Sequence, residues 1–142
     1  MKKISFIFIL LLGSLSYSQD WQTSYDRSLI KAKNENKKII LVFQGSDWCG
    51  PCIKLSQEIW SSDYFINYSN KKFVMLQADF PRKKKNFLSD EQQKSNNLLA
   101  EKYNPNGYFP FVVIIDKNEN LLGEMGYKKT TPENFIKIIE SF

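Results

Sequence analysis

The chain has no histidine at all. That absence removes Ser–His and Cys–His nucleophile pairs, imidazole acid–base chemistry and nearly all common zinc sites. Cysteine is scarce as well. Two residues can build neither a disulfide-dense scaffold nor a four-thiolate metal centre. The five prolines and six glycines are scattered, so there is no linker of the Gly/Ser or Pro-rich kind, and no internal repeat. Chemistry must therefore run on cysteine, carboxylates, lysine, tyrosine or backbone dipoles. What is present is ordinary: 142 residues, 42% hydrophobic and 25% charged. That is enough apolar material for a packed core, too balanced for disorder, and about the length of one domain with a short appendage.

The appendage is at the start. Met1-Lys2-Lys3 is basic, Ile4–Leu12 is apolar except for Ser5, and Gly13–Ser18 is small and polar. That is the order of an export signal, with cleavage expected after Ser18. The apolar run is far short of the ~20 residues of a membrane span. A retained anchor or a buried strand is the alternative. No cysteine follows the run, which argues against a lipoprotein. The expected organisation is thus a signal peptide over 1–18 and one domain over 19–142, exported to the periplasm or envelope of a Gram-negative-type bacterium. Taking Lys2 and Lys3 from the 20 basic residues leaves 18 against 15 acidic ones, a net +3. So small a charge gives no reason to expect a nucleic-acid partner.

Periodicity and punctuation divide the rest. Thr23 or Ser24 can cap a helix running to about Asn36, with Tyr25, Leu29 and Ala32 on one stripe. Lys38–Gln44 (KIILVFQ) reads as a strand buried on both faces. Pro51 stands where the next helix begins, and Ile53, Leu55, Ile59 and Trp60 carry it, continuing or restarting towards Tyr64 and Phe65. Phe73–Phe80 is a second strand. Ser89–Gln92 has capping-box form and opens a helix to Tyr103. Asn104–Gly107 is turn material. Phe111–Asp116 and Leu121–Met125 form a hairpin, and Thr130 or Thr131 caps a last helix with Pro132 in its first turn. The order α-β-α-β-α-β-β-α predicts an α/β fold, a central mixed sheet flanked by helices.

The chemical signal is Trp48-Cys49-Gly50-Pro51-Cys52, at a strand-to-helix junction. As a structural staple the pair is poor: so short a loop yields ~2 kcal/mol, against ~4.7 for a hundred-residue loop. As a zinc site it lacks two ligands. As a redox pair it has what the reaction needs. Cys49 falls at a helix start, where free N–H groups and the helix dipole favour an anion. Moving a thiol pKa from ~8.5 to ~7 takes only about 2 kcal/mol. Cys52, a turn later and expected deeper, stays protonated longer. Cys49 is therefore the nucleophile and Cys52 the resolving thiol. Pro51 stiffens the turn, and Gly50 is expected to let backbone pass close to the sulfurs. No metal or cofactor is called for.

With WCGPC at 48–52, the chain resembles the thioredoxin superfamily over about Trp21–Phe142. The resemblance implies the thioredoxin fold and a cis Phe109–Pro110 bond facing the cysteines. It also implies a groove, bordered by Gly126, where an extended substrate segment pairs by strand addition. Tyr103, Tyr108 and Phe109 are candidates for its apolar wall, or for the core. Trp48 is expected to shield Cys49 and touch substrate. The chain also departs from the family. Phe43 stands where thioredoxin keeps a buried Asp, and Met75 or Leu76 where it keeps a relay lysine. Asp47 and Glu58 are then the candidates for proton transfer at Cys52. The segment 81–108 is longer than in plain thioredoxin. With the export signal, this is similar to exported relatives of the C-terminal domain of the transmembrane reductase DsbD.

The expectation is an exported thiol–disulfide oxidoreductase. It would reduce or exchange disulfides in protein substrates, draw on a membrane or periplasmic electron donor, and work as a monomer. A non-catalytic binding module using the Pro110 groove is the rival. A role in peroxide chemistry or heme-protein maturation is a third option within redox chemistry. Arg82–Lys85 reads as a solvated loop, with an acidic partner or an anionic membrane as its alternatives.

Overall fold

The two strands richest in β-branched and apolar residues occupy the centre. β2 (Lys38–Gln44) runs parallel to β3 (Phe73–Asp79) on one side and antiparallel to β4 (Phe111–Ile115) on the other. β1 (Trp21–Gln22) adds to β3, and β5 (Leu121–Gly126) to β4, giving the order β1-β3-β2-β4-β5. This computed structural model describes residues 18–142. The leader read in 1–18 therefore lies outside them, apart from Ser18. Among the described residues, no helix is long and apolar enough to cross a membrane.

Side chains alternate across the sheet, and each set meets its own helices. Ile39, Leu41 and Phe43 join Val74, Leu76, Val113 and Ile115 under α1 (Tyr25–Glu35) and α4 (Asp90–Tyr103), which contribute Leu29, Ala32, Leu99 and Tyr103. Ile40 and Val42 join Met75, Val112 and Ile114 on the other face. There they meet Leu55 of α2 (Gly50–Leu55), Phe65 of α3 (Asp63–Lys72), and Phe135, Ile136 and Ile139 of α5 (Pro132–Glu140). Burying each such side chain contributes ~1.5–3 kcal/mol. A one-residue slip would turn every set to the wrong layer, so register is strongly fixed.

The caps settle alternatives the sequence left open. Ser24 accepts from Arg27 N at the start of α1, and Thr131 from Asn134 N at the start of α5. Two features add to the expected order. β1 is only two residues long, paired through Trp21 with Met75 and Gln22 with Leu76, and carries no periodic signal. The helix after the motif passes from α2 through a π turn, Ser56–Trp60, and restarts as α3 on the Ser62 cap. β4 stops at Ile115, one residue early. The Asp116 carboxylate accepts from Asn118 N and Asn120 N, which turns the chain instead.

Candidate active site

β2 delivers the motif to one end of the sheet. After Gln44 the chain turns on Gly45, whose carbonyl accepts from Trp48 N at 3.3 Å and Cys49 N at 2.9 Å. The Asp79 carboxylate, at the end of β3, accepts from Ser46 N at 2.9 Å and so ties the turn to the sheet. Gly45 cannot be larger. A Cβ there would sit 2.3 Å from the Trp48 indole. A Cβ built on Gly50, by contrast, would meet nothing within 4 Å beyond its chain neighbours and its own helix backbone.

Cys49 is the N-cap of α2. Its backbone is extended and its Sγ accepts from Cys52 N at 3.3 Å, while Pro51 takes a first-turn position where a missing N–H costs nothing. Cys49 and Cys52 are joined as a disulfide with Cα atoms 5.2 Å apart. The expected difference in depth is absent: the residues are 4% and 3% exposed. Asymmetry lies instead in the hydrogen bond, which gives Cys49 a backbone donor. A charged sulfur there would hold a charge-assisted bond, the stronger kind.

Trp48 is wedged rather than free. Its Nε1 donates to Phe80 O at 2.8 Å, its ring meets Phe109 edge-on with centroids 5.6 Å apart, and the Arg82 guanidinium lies 3.7 Å over the indole. The indole therefore links the motif both to the segment after β3 and to the turn before β4. In that turn Phe109–Pro110 is cis. Asn104, buried, accepts from Tyr108 N at 2.9 Å and donates to Tyr108 O at 2.8 Å, fixing the approach to Pro110. The sequence offered Asn104 only as turn material. Its burial at a helix end is the signal that was missed.

Pro51, Tyr108, Phe109, Pro110, Gly126 and Tyr127 line one open groove of about 520 Å³. The structure thus brings together the helix-start proline, the cis proline and the hairpin glycine. Tyr108 and Phe109 line the groove, whereas Tyr103 belongs to the core and bonds Tyr25 Oη at 2.9 Å. Tyr127, which sequence reasoning passed over, donates its phenol to Glu58 at 3.0 Å. Desolvation and this bond raise its pKa, so it stays protonated.

Both candidate carboxylates are occupied. Asp47 accepts from Arg82 N and Lys83 N, each at 3.0 Å, and from Asn86 Nδ2 at 2.9 Å. The Arg82 N–H and the Asn86 amide pull its pKa below the ordinary carboxylate value, which makes it a poor base. Glu58 holds Tyr127. Phe43, Met75 and Leu76 are all buried apolar residues, as their positions led one to expect. Among the described residues, no group of acidic or sulfur side chains is arranged to hold a metal.

With this geometry in hand, comparison with known proteins is direct. A family model described as thioredoxin-like matches residues 20–117. The chain is 34% identical over 121 residues to the disulfide bond reductase DsbH of Chlamydia pneumoniae, covering 85% of this chain and 70% of that protein. A solved DsbH oxidoreductase superposes with a TM-score of 0.80 at 32% identity, covering 87% of this chain and 83% of that one. The oxidised C-terminal domain of DsbD from Neisseria meningitidis shares the fold, with a TM-score of 0.55 at 18% identity over 82% of this chain and 90% of that one.

Proposed function

The chain belongs to the thioredoxin-like family and is a thiol–disulfide oxidoreductase, and on that ground we propose that it is an exported reductase of protein disulfides. The observation that carries the reading is the Cys49 cap: a sulfur at a helix start, receiving the Cys52 N–H and bonded to the Cys52 sulfur, with Pro51 between them lining the Pro110 groove. The disulfide is the oxidised end of the cycle. From the reduced end, the Cys49 thiolate attacks one sulfur of a substrate disulfide. A Cys49–substrate bond forms, the substrate S–S bond breaks, and the departing thiolate takes a proton. Cys52 then loses its proton and attacks Cys49 Sγ. The Cys49–Cys52 bond re-forms and the second substrate sulfur leaves as a thiol. Two electrons have passed to substrate, and a dithiol donor in the membrane or periplasm returns them.

The groove supports a substrate held as an extended segment. Phe109 and Tyr108 offer apolar wall, and the backbone before Pro110 offers strand-type pairing in the groove that Pro51 lines. Proton movement at Cys52 uses water or the substrate thiol in this reading, since Asp47 and Glu58 are committed elsewhere. The name of the DsbH relative supports the direction of electron flow, and the leader read in residues 1–18 supports export.

Insulin reduction with dithiothreitol tests this, comparing the chain with Cys49→Ser. Turbidity should develop much faster with the parent chain. Identical curves would defeat the reading. Equilibration with a dithiol couple refines direction. A potential near roughly −270 mV fits a reductase, whereas one near −120 mV fits an oxidant.

A further inference from the structure

We infer that the groove beside Cys49 selects disulfide-bearing polypeptides with acidic residues next to the cysteine. The inference rests on the reductase reading and adds its substrate class. Two basic stretches adjoin residues of the site, one through contact with Trp48 and one through the chain after Tyr127. Arg82, Lys83, Lys84 and Lys85 form one, all exposed. This run is not a loose loop. Arg82 stacks on Trp48, the neighbour of Cys49, and Asp47 clips the backbone at Arg82 and Lys83 as well as Asn86. The charges are therefore held against the motif. Lys128 and Lys129 form the other stretch, also exposed, directly after the groove residues Gly126 and Tyr127.

These cations form no side-chain ion pair among the described residues, although the charge of Lys83 acts on Asp47, after the Arg82 N–H and the Asn86 amide. Among the described residues the ion pairs are Lys31–Asp20, Lys37–Glu35 and Lys102–Glu119, all at other places. Asp47 accepts from backbone donors and Glu58 from Tyr127, and neither pairs with a lysine side chain. An apolar groove, with one basic stretch anchored through Arg82 on Trp48 and another following Tyr127 in the chain, complements an extended segment that carries its own carboxylates. A net charge of only +3 for residues 19–142, from 18 basic and 15 acidic residues, makes this local concentration the more selective. Steering of this kind raises association rates by about tenfold or more at low salt and fades as the Debye length shrinks.

The test uses three peptides, each with one internal disulfide flanked by Asp/Glu, by Ser/Gly or by Lys/Arg, reduced by the full chain with dithiothreitol as recycling donor. At about 20 mM ionic strength the acidic peptide should have roughly tenfold higher kcat/KM than the neutral one, with the basic peptide slowest. The spread should close towards one near 0.5 M salt. Lys83→Gln/Lys84→Gln/Lys85→Gln and Lys128→Gln/Lys129→Gln should each narrow the acidic-to-neutral ratio. Lys71→Gln/Lys72→Gln, where α3 enters β3 at the other end of the sheet, should keep it. Equal rates for all three peptides would overturn the selectivity and leave the reductase standing, whereas reduction of none would remove both. Equal rates together with sedimentation on phosphatidylglycerol vesicles would hand the basic run to a membrane surface and overturn the proposal. A ratio unchanged in both glutamine variants would overturn it too.

Discussion

Asp47 and Asp116 make the same set of bonds at opposite ends of the sheet. Each accepts two backbone N–H groups and one asparagine side-chain N–H. Each has its pKa lowered, Asp47 first by the Arg82 N–H and Asp116 first by the Asn120 side chain. What differs is reach. Asp116 bonds residues two and four positions ahead and shapes its own turn. Asp47 bonds residues 35 to 39 positions ahead, and so fastens a basic segment beside the cysteines. Identical chemistry makes a turn in one place and part of a site in the other, because of what it holds.

The largest effect that sharpens this contrast lies with the sulfurs. Cys49→Ser should lower disulfide reduction by at least about a thousandfold, while Cys52→Ser should accumulate the Cys49–substrate mixed disulfide, visible by mass spectrometry. Next comes a pair of glycines. Alanine at Gly45 meets an indole held by Phe80 O, Phe109 and Arg82, and should cost roughly 1–3 kcal/mol with a fall in turnover. Alanine at Gly123 meets the ring of Phe142, which is 39% exposed and able to swing aside, so its melting temperature should move far less. Equal losses would mean that Trp48 is not the fixed wedge described above.

Asp47→Asn should speed amide exchange across residues 81–87 and change kcat/KM on acid-flanked peptides, the loosened clip lowering it and the lost negative charge raising it. Asp116→Asn should alter neither. If the two variants behave alike, the functional distinction between the carboxylates is lost. The pH dependence is smaller still. A carboxyl lowered by folding contributes stability that is complete above its unfolded value, here 3.8, and drains away as pH falls through the folded one. Both contributions should be level from neutral pH down to about 5 and decline below about 4. Each Asn variant should remove its own share of that acid decline in urea titrations at stepped pH.

What the sequence revealed follows the same division by reach. β2 and β4 were legible because alternating burial on two faces produces unbroken apolar runs, KIILVFQ and FVVII. The caps, the hairpin and the Cys49–Cys52 motif were legible because their signals span a few consecutive residues. β1 was not, since two residues paired to Met75 and Leu76 have no period. Nor was the π turn at Ser56–Trp60, which lies inside a segment whose apolar spacing reads as one continuing helix. The Gly45–Trp48 fit and the Asn104 clamp on Tyr108 are short in sequence, yet they depend on where a ring and a buried amide point. Pro110 was found through family resemblance, not through any local rule. In the candidate site, the paired sulfurs were readable and the groups that hold them were not.

The account turns on Cys49 being an anion at neutral pH. Iodoacetamide alkylation of the reduced chain, followed at Cys49 by mass spectrometry from pH 4 to 10, measures this directly. The expected profile rises with a midpoint near 7 or lower, well below the ~8.5 of a free thiol, with Cys52 labelled later. A midpoint for Cys49 that coincides with an unfolded peptide's would leave the helix start with no chemical consequence.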